Sequence, residues 1–406
     1  MTAARALPTL VVAAALALGS AVSLGLARFA YALLLPAMRL DLGWSYFTAG
    51  AMNTVNAAGY LVGALAAPPC LRRYGARAVL VVATAATALA LAAHGAVAGD
   101  AALYALRFVS GALSAPSLVA GAVLAAGLGG GVPGDDRRTV SSGLTLGLYY
   151  GGTGVGIVIA ALLVPIVGGG AGSPAWQPAW VALGIVALIA AAVLAFTTRG
   201  VGARAVAAAA HGDDERFRWR PFAPGLAAYF LFGLGYIGYM TFVVTMLREQ
   251  QLAPALVTSF YAMLGVAVIA SSWLWAGMLQ RFRGGESLAI LSALLALATL
   301  LPVASAHPLA VFASGLLFGA VFLSLVTSTT ALVRHNLAPS LWAAGIGAFT
   351  TLFAAGQIVG PALVGFVADR SGGLRGGLAC SAAVLALGAL AAWRQKPLSS
   401  PGDGRR

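Results

Sequence analysis

The chain has 406 residues, 60% of them hydrophobic and 9% charged, with a formal net charge of +13. An ordinary soluble domain carries about 25% charge. Composition therefore excludes a water-soluble globular protein and points to one embedded in lipid.

Runs of about 18 or more mostly apolar residues are long enough to cross the hydrocarbon as helices, with every backbone group bonded internally. About twelve follow one another, near 9–36, 48–70, 78–98, 102–127, 140–167, 178–198, 222–247, 255–280, 287–306, 308–333, 341–368 and 376–393. The expected fold class is an all-α membrane protein. The first run is too long for the apolar core of a signal peptide, and only further hydrophobic runs follow it, so it reads as a span.

Span one carries Arg28 inside SLGLARFAYALLLPAM, eight residues before Pro36. That depth is roughly 12 Å below the span's end at about 1.5 Å per residue. An intramembrane arginine costs about 3 kcal/mol on insertion scales, so it should face protein or a water-filled cavity. In span two Asn53, Asn56 and Tyr60 recur at helical spacing and share a face at similar depth. They suit hydrogen bonds to a substrate or between helices.

His94 stands near the end of span three, where it suits a structural hydrogen bond or a proton-handling role. Span four starts at Asp100 and carries the second intramembrane arginine, Arg107. Guanidiniums pair with carboxylate or phosphate oxygens, so an anionic substrate would suit both arginines. Alternatively they reach toward Asp41 and Asp100, or toward backbone carbonyls, and only hold helices in place. Span five offers Tyr149 and the glycines Gly147, Gly151, Gly152, Gly154 and Gly156, which permit close helix approach.

The linker TRGVGARAVAAAAHGDDERFRWRP separates two sets of six spans, giving expected units at 1–198 and 222–406 joined by 199–221. Beyond it, Tyr229, Phe232, Tyr236 and Tyr239 form a stripe on span seven, and Gln357 and Gly360 stand in span eleven. All eleven acids fall in loops or at span ends. A coupling proton would then have to use His94, a rim acid such as Asp41 or Asp100, or the substrate itself. HGDDE, at 211–215, lies in the solvated linker among arginines and is not read as a metal site. The glycine-rich stretches lack GK[ST] and a preceding strand, so no phosphate cradle is expected. No cofactor and no catalytic constellation is expected, and therefore no enzyme.

About 18 of the 24 Lys and Arg fall on one set of alternate loops and about four on the other. This is a positive-inside pattern with both termini cytoplasmic. Basicity thus reports orientation, and nucleic acid is not a partner. Cys70 and Cys380 lack any metal or redox spacing.

The two sets of spans repeat one another. GLARFAYALLLPAM from Gly25 lies on GLGYIGYMTFVVTM from Gly233, an offset of 208 residues. RFVSG from Arg107 lies on VFASG from Val311, and PPCLRRYG on GMLQRFRG. Six plus six repeated spans is a transporter layout. With its RFAY-x3-LP pattern in span one and Arg107 followed by Gly111 in span four, the chain resembles the major facilitator superfamily, most closely its YbfB/YjiJ-like bacterial subgroup. The resemblance implies two pseudo-symmetric six-helix bundles that rock around a site lined by spans one and four of each half. It also implies a small-molecule substrate, no cofactor, and a monomer in the bacterial inner membrane.

Two departures matter. The superfamily's loops after spans two and eight usually carry a gating aspartate, yet Arg72 and Arg281 stand there. A good match to that pattern, GFVADRSGG at Gly365–Gly373, falls after span eleven, on the expected outer side. The expected substrate-binding set is Arg28, Tyr31, Asn53, Asn56, Arg107, Tyr149, Tyr236, Tyr239 and Gln357. The coupling or gating set is Asp41, His94, Asp100, Gly111, Gly151 and Gly360. The cargo expected from these sets is a small organic anion, with a coupling proton as an option. Efflux of neutral or amphipathic compounds is the alternative.

Overall fold

The computed structural model describes residues 9–128, 142–168, 175–200 and 217–398. Most of the linker, including HGDDE, lies outside them. Among the described residues there is no strand, and twelve helices are long and apolar enough to cross a membrane. Spans one to six are Thr9–Leu42, Tyr46–Tyr74, Ala76–His94, Asp100–Leu128, Gly143–Val167 and Trp176–Thr197. Spans seven to twelve are Arg220–Glu249, Pro254–Ser271, Glu286–Ala304, Pro308–Asn336, Ala344–Arg370 and Leu374–Trp393.

Local chemistry sets the ends. Span one stops at Gly43, whose φ of +65° is the left-handed turn that closes helices. Span ten starts with Pro308, pre-set for a first helical position, behind His307, whose Nδ1 accepts from the Leu309 amide at 3.3 Å.

Span one is not uniformly α-helical. From Ala21 to Phe29 it winds as a π-helix, and the Ala30 amide bonds the Gly25 carbonyl at 2.9 Å. Such wide turns are rare and cluster at functional sites. Two carbonyls of this stretch receive side-chain donors: Arg107 Nη1 reaches Ala27 at 3.0 Å, and the Tyr261 hydroxyl reaches Phe29 at 2.8 Å.

The chain forms two compact units that do not follow chain order throughout. The first comprises Met1–Gly43, Val55–Val206 and Ala253–Ile269; the second comprises Trp44–Thr54, Ala207–Leu252 and Ala270–Arg406. Span two therefore starts in one unit and continues in the other, and most of span eight belongs with the first six spans.

Within the first unit, Gly25 packs on Gly156 of span five, and Gly111 of span four packs on the Asn56 carbonyl of span two. Within the second, Gly233 packs on Phe353 of span eleven, and Gly360 on Leu234 of span seven. Gly25 and Gly233 are repeat mates, and each seats its span on the fifth helix of its set. The repeat read from sequence is thus a repeat of packing.

Candidate functional site

In the first unit the polar centre is built around Arg107. Its side chain is fully buried, and Arg28 is 3% exposed, so neither guanidinium faces lipid. The Arg107 guanidinium lies over the Tyr31 ring at 4.7 Å and over Trp180 at 5.8 Å. Arg28 lies over Tyr60 at 5.3 Å. Arg107 Nη1 donates to the carbonyl of Ala27, the residue just before Arg28, so both cations serve one stretch of span one. Like charges in a low dielectric raise the local potential, while aromatic faces and a backbone carbonyl offset part of that cost.

His94 extends this cluster. Its ring stacks on Trp180 with centroids 4.5 Å apart, and Nδ1 contacts the Ala90 carbonyl at 2.7 Å. That contact places the proton on Nδ1, since a carbonyl only accepts. Nε2 is buried with no hydrogen-bond partner.

Asp41 bonds neither arginine; its Oδ2 accepts from Trp176 Nε1 at 2.8 Å. Asp100 is exposed at the first turn of span four. The arginines do not bond Asp41: Arg28 is wound into the protein with span one, and Arg107 Nη1 donates to the Ala27 carbonyl.

The two asparagines of span two part company. Asn56 Nδ2 donates to the Arg107 carbonyl at 2.9 Å and to Ser110 Oγ at 3.2 Å, both on span four. Asn53 Nδ2 donates to Thr241 Oγ1 on span seven at 2.7 Å, within the second unit. Both therefore bridge helices. Tyr149 likewise donates to the Leu118 carbonyl at 2.7 Å from a fully buried position. Gly151 is not at a tight approach, since a Cβ there would meet Ile269 at an ordinary 3.7 Å. The tight positions of span five are Gly152, Gly154 and Gly156, against backbone atoms of Ala17, Gly265 and Ala21.

The second unit contributes aromatic surface instead of charge. Tyr236 stacks on Phe232, Phe322 and Phe353, with centroids 4.9, 5.9 and 5.6 Å away. Its hydroxyl accepts from Gln357 Nε2. Tyr239 stacks on Phe318 at 4.1 Å and shares a 2.6 Å hydrogen bond with Ser314. The sequence repeat explains this pairing: Tyr31 and Tyr239 are mates, as are Ser110 and Ser314, so each tyrosine meets the fourth helix of its set. Gly360 takes its place where span eleven touches span seven.

Phe318, Phe322, Phe353, Trp180 and Tyr261 were not foreseen from sequence. The i, i+4 spacing of Phe318 and Phe322 was a usable signal. Tyr261, alone in span eight, gave none. Among the described residues no cluster of His, Cys, Asp or Glu could hold a metal ion.

Comparison with known proteins agrees with this architecture. No curated protein matches the chain in sequence. Among solved structures, it is similar to a bacterial homologue of the human lysosomal transporter Spinster, inward-facing and unoccupied. The TM-score is 0.71 and the identity 16%, over 97% of this chain and 99% of that one. The nucleoside transporter NupG gives a TM-score of 0.71 at 14% identity, over 95% and 100% of the two chains. The human organic anion transporter MFSD10 gives 0.62 at 17%, over 95% and 100%. At these identities the likeness shows the fold. Residues 20–393, which hold every span after the first turns of span one, match the family described as "Uncharacterised MFS-type transporter YbfB", and the chain belongs to that major facilitator family.

Proposed function

We propose that this transporter moves a small organic anion across the bacterial inner membrane by alternating access, with both termini cytoplasmic, as a monomer and without a chemical step. One observation carries the reading. Two guanidiniums are buried inside the first unit, while every described acid within a span stands at that span's end. An anion entering that environment gains charge-assisted hydrogen bonds of about 1.5–3 kcal/mol each. Arg28 and Arg107 attract and orient the anion, with Tyr31 forming the floor under Arg107. Asn53, Asn56 and Tyr149 hold the spans that carry them. In the second unit Tyr236, Tyr239 and Gln357 are the cargo-contacting candidates, held by stacked rings and hydrogen bonds. His94, Asp41 and Asp100 are the groups available to a coupling proton, and Gly111 and Gly360 are sites of close helix contact.

The test is uptake into proteoliposomes with a panel of small carboxylates set against neutral compounds. Arg28→Gln and Arg107→Gln are each expected to raise KM for the transported carboxylate about 10- to 100-fold, the equivalent of one lost charged hydrogen bond. Unchanged carboxylate uptake in both variants refutes the anion reading. The aromatic stack favours a second reading, efflux of neutral or amphipathic compounds, which predicts transport of the neutral set and indifference to both arginine variants.

A further inference from the structure

A helix start leaves backbone amides that no carbonyl of the same helix can accept. At the start of span two the amides of Tyr46, Phe47 and Thr48 are accounted for. Ser45 is the N-cap: its Oγ accepts from the Thr48 amide at 3.1 Å, and its carbonyl accepts from Ala49 at 3.1 Å. The amides between, Tyr46 and Phe47, donate to the two carboxylate oxygens of Asp369 at 3.0 and 2.9 Å. Asp369 stands in the last turn of span eleven, so this helix is capped from a segment 323 residues away.

The cap is the end of a longer seam inside the second unit. Gly365 lies against the Tyr46 carbonyl and Gly50 against the Pro361 carbonyl. Thr54 Oγ1 donates to the Ile358 carbonyl at 2.7 Å, and the Tyr46 hydroxyl donates to Glu249 at 2.7 Å. The partners descend span eleven as span two is ascended, which is an antiparallel pair in backbone contact. Past Thr54 the same helix belongs to the first unit, where Asn56 and Gly59 pack on span four. A displacement between the units therefore falls on this helix, and either the helix bends or the seam opens.

We propose that Asp369 is a gating residue, a releasable cap that holds the first turns of span two on spans seven and eleven and lets go once in each transport cycle. A carboxylate suits that task. It gains two charge-assisted bonds and the favourable end of the helix dipole when seated, and water can replace both when it leaves. It also accounts for GFVADRSGG, the one gating-type pattern in the chain that keeps its acid while Arg72 and Arg281 occupy the usual acidic positions. The proposal rests on the transporter family and not on the anion reading.

The experiment uses no substrate, so its failure is distinct from failure of that reading. In a Cys70→Ser/Cys380→Ser background, Thr54→Cys places a thiol on the seam itself, where the native hydroxyl meets the Ile358 carbonyl. Its labelling rate with a membrane-impermeant maleimide in proteoliposomes reports seam opening. Asp369→Ala is expected to label at least about fivefold faster than the parent, with Asp369→Asn between them. Tyr46→Pro removes one capping amide at a position where proline is tolerated. It is expected to label faster than Tyr46→Phe, which loses only the hydroxyl, and it carries the test should Asp369→Ala fail to fold. A second thiol at the fully buried Leu91 of span three is expected to keep the parental rate in every variant. Parental rates at Thr54→Cys in both Asp369→Ala and Tyr46→Pro overturn the proposal. So does a parallel rise at Leu91→Cys, which signals general loosening.

Discussion

Gly25→Ala is the most exacting test of how span one is seated. A Cβ on Gly25 would lie 2.6 Å from Gly156 Cα, 2.8 Å from Gly156 C and 2.9 Å from the Thr153 oxygen, all backbone atoms of span five. Ordinary contact begins at 3.4 Å, so the two helices must part by about 0.8 Å. No rotamer change relieves this, because nothing in the way is a side chain. The same displacement stretches the 2.7 Å Ser20 to Thr153 hydroxyl bond to the limit of hydrogen bonding. Overpacking costs about 1–3 kcal/mol, and an interhelical hydrogen bond in a membrane is worth about 0.6. Against these stands a gain of up to about 1 kcal/mol from replacing glycine in a helix. The net loss is about 1–3 kcal/mol, a melting shift of roughly 3–9 °C at about 3 °C per kcal/mol. Gly151→Ala, four residues before Val155 on the same helix, is the control, since its Cβ would sit at 3.7 Å from the Ile269 side chain. Tryptophan-fluorescence melting of the purified protein in detergent reads both. Equal melting temperatures for the two variants, or a neutral Gly25→Ala, would refute the reasoning that backbone contact seats span one.

Tyr261→Phe removes the donor to the Phe29 carbonyl beside the π-helical stretch. A loss of about 0.5–1.5 kcal/mol is expected, seen as a lower melting temperature; an unchanged melt means that water or another donor replaces the hydroxyl. His94→Phe keeps a ring on Trp180 but gives up the contact with Ala90. It is expected to lower stability by about 1 kcal/mol and leave the pH profile of uptake in place. A displaced profile would instead make His94 the carrier of a coupling proton. Tyr149→Phe breaks the bond to Leu118 and is expected to lower the melting temperature without changing KM, and a changed KM would return this tyrosine to the cargo.

The twelve spans were legible in the sequence because insertion depends on about twenty consecutive residues and on little else. The same local reasoning placed Arg28 and Arg107 inside protein, since a charge among acyl chains is too costly to be left there. The repeat aligned the segments that carry Tyr31 and Tyr239, and those that carry Ser110 and Ser314, but that Tyr239 meets Ser314 emerged only from the packing. What the sequence left open was decided by helices that meet from distant parts of the chain. Asn53 and Asn56, three residues apart, serve different partners because span two passes from one unit to the other between them. Asp369 looked misplaced by its motif until the start of span two was seen resting on it. The wide turn around Arg28 depends on donors from spans four and eight, which no periodicity in span one encodes. Hydropathy is a property of each segment taken singly, whereas a backbone contact or a cap is a property of two, and only folding brings the second one near.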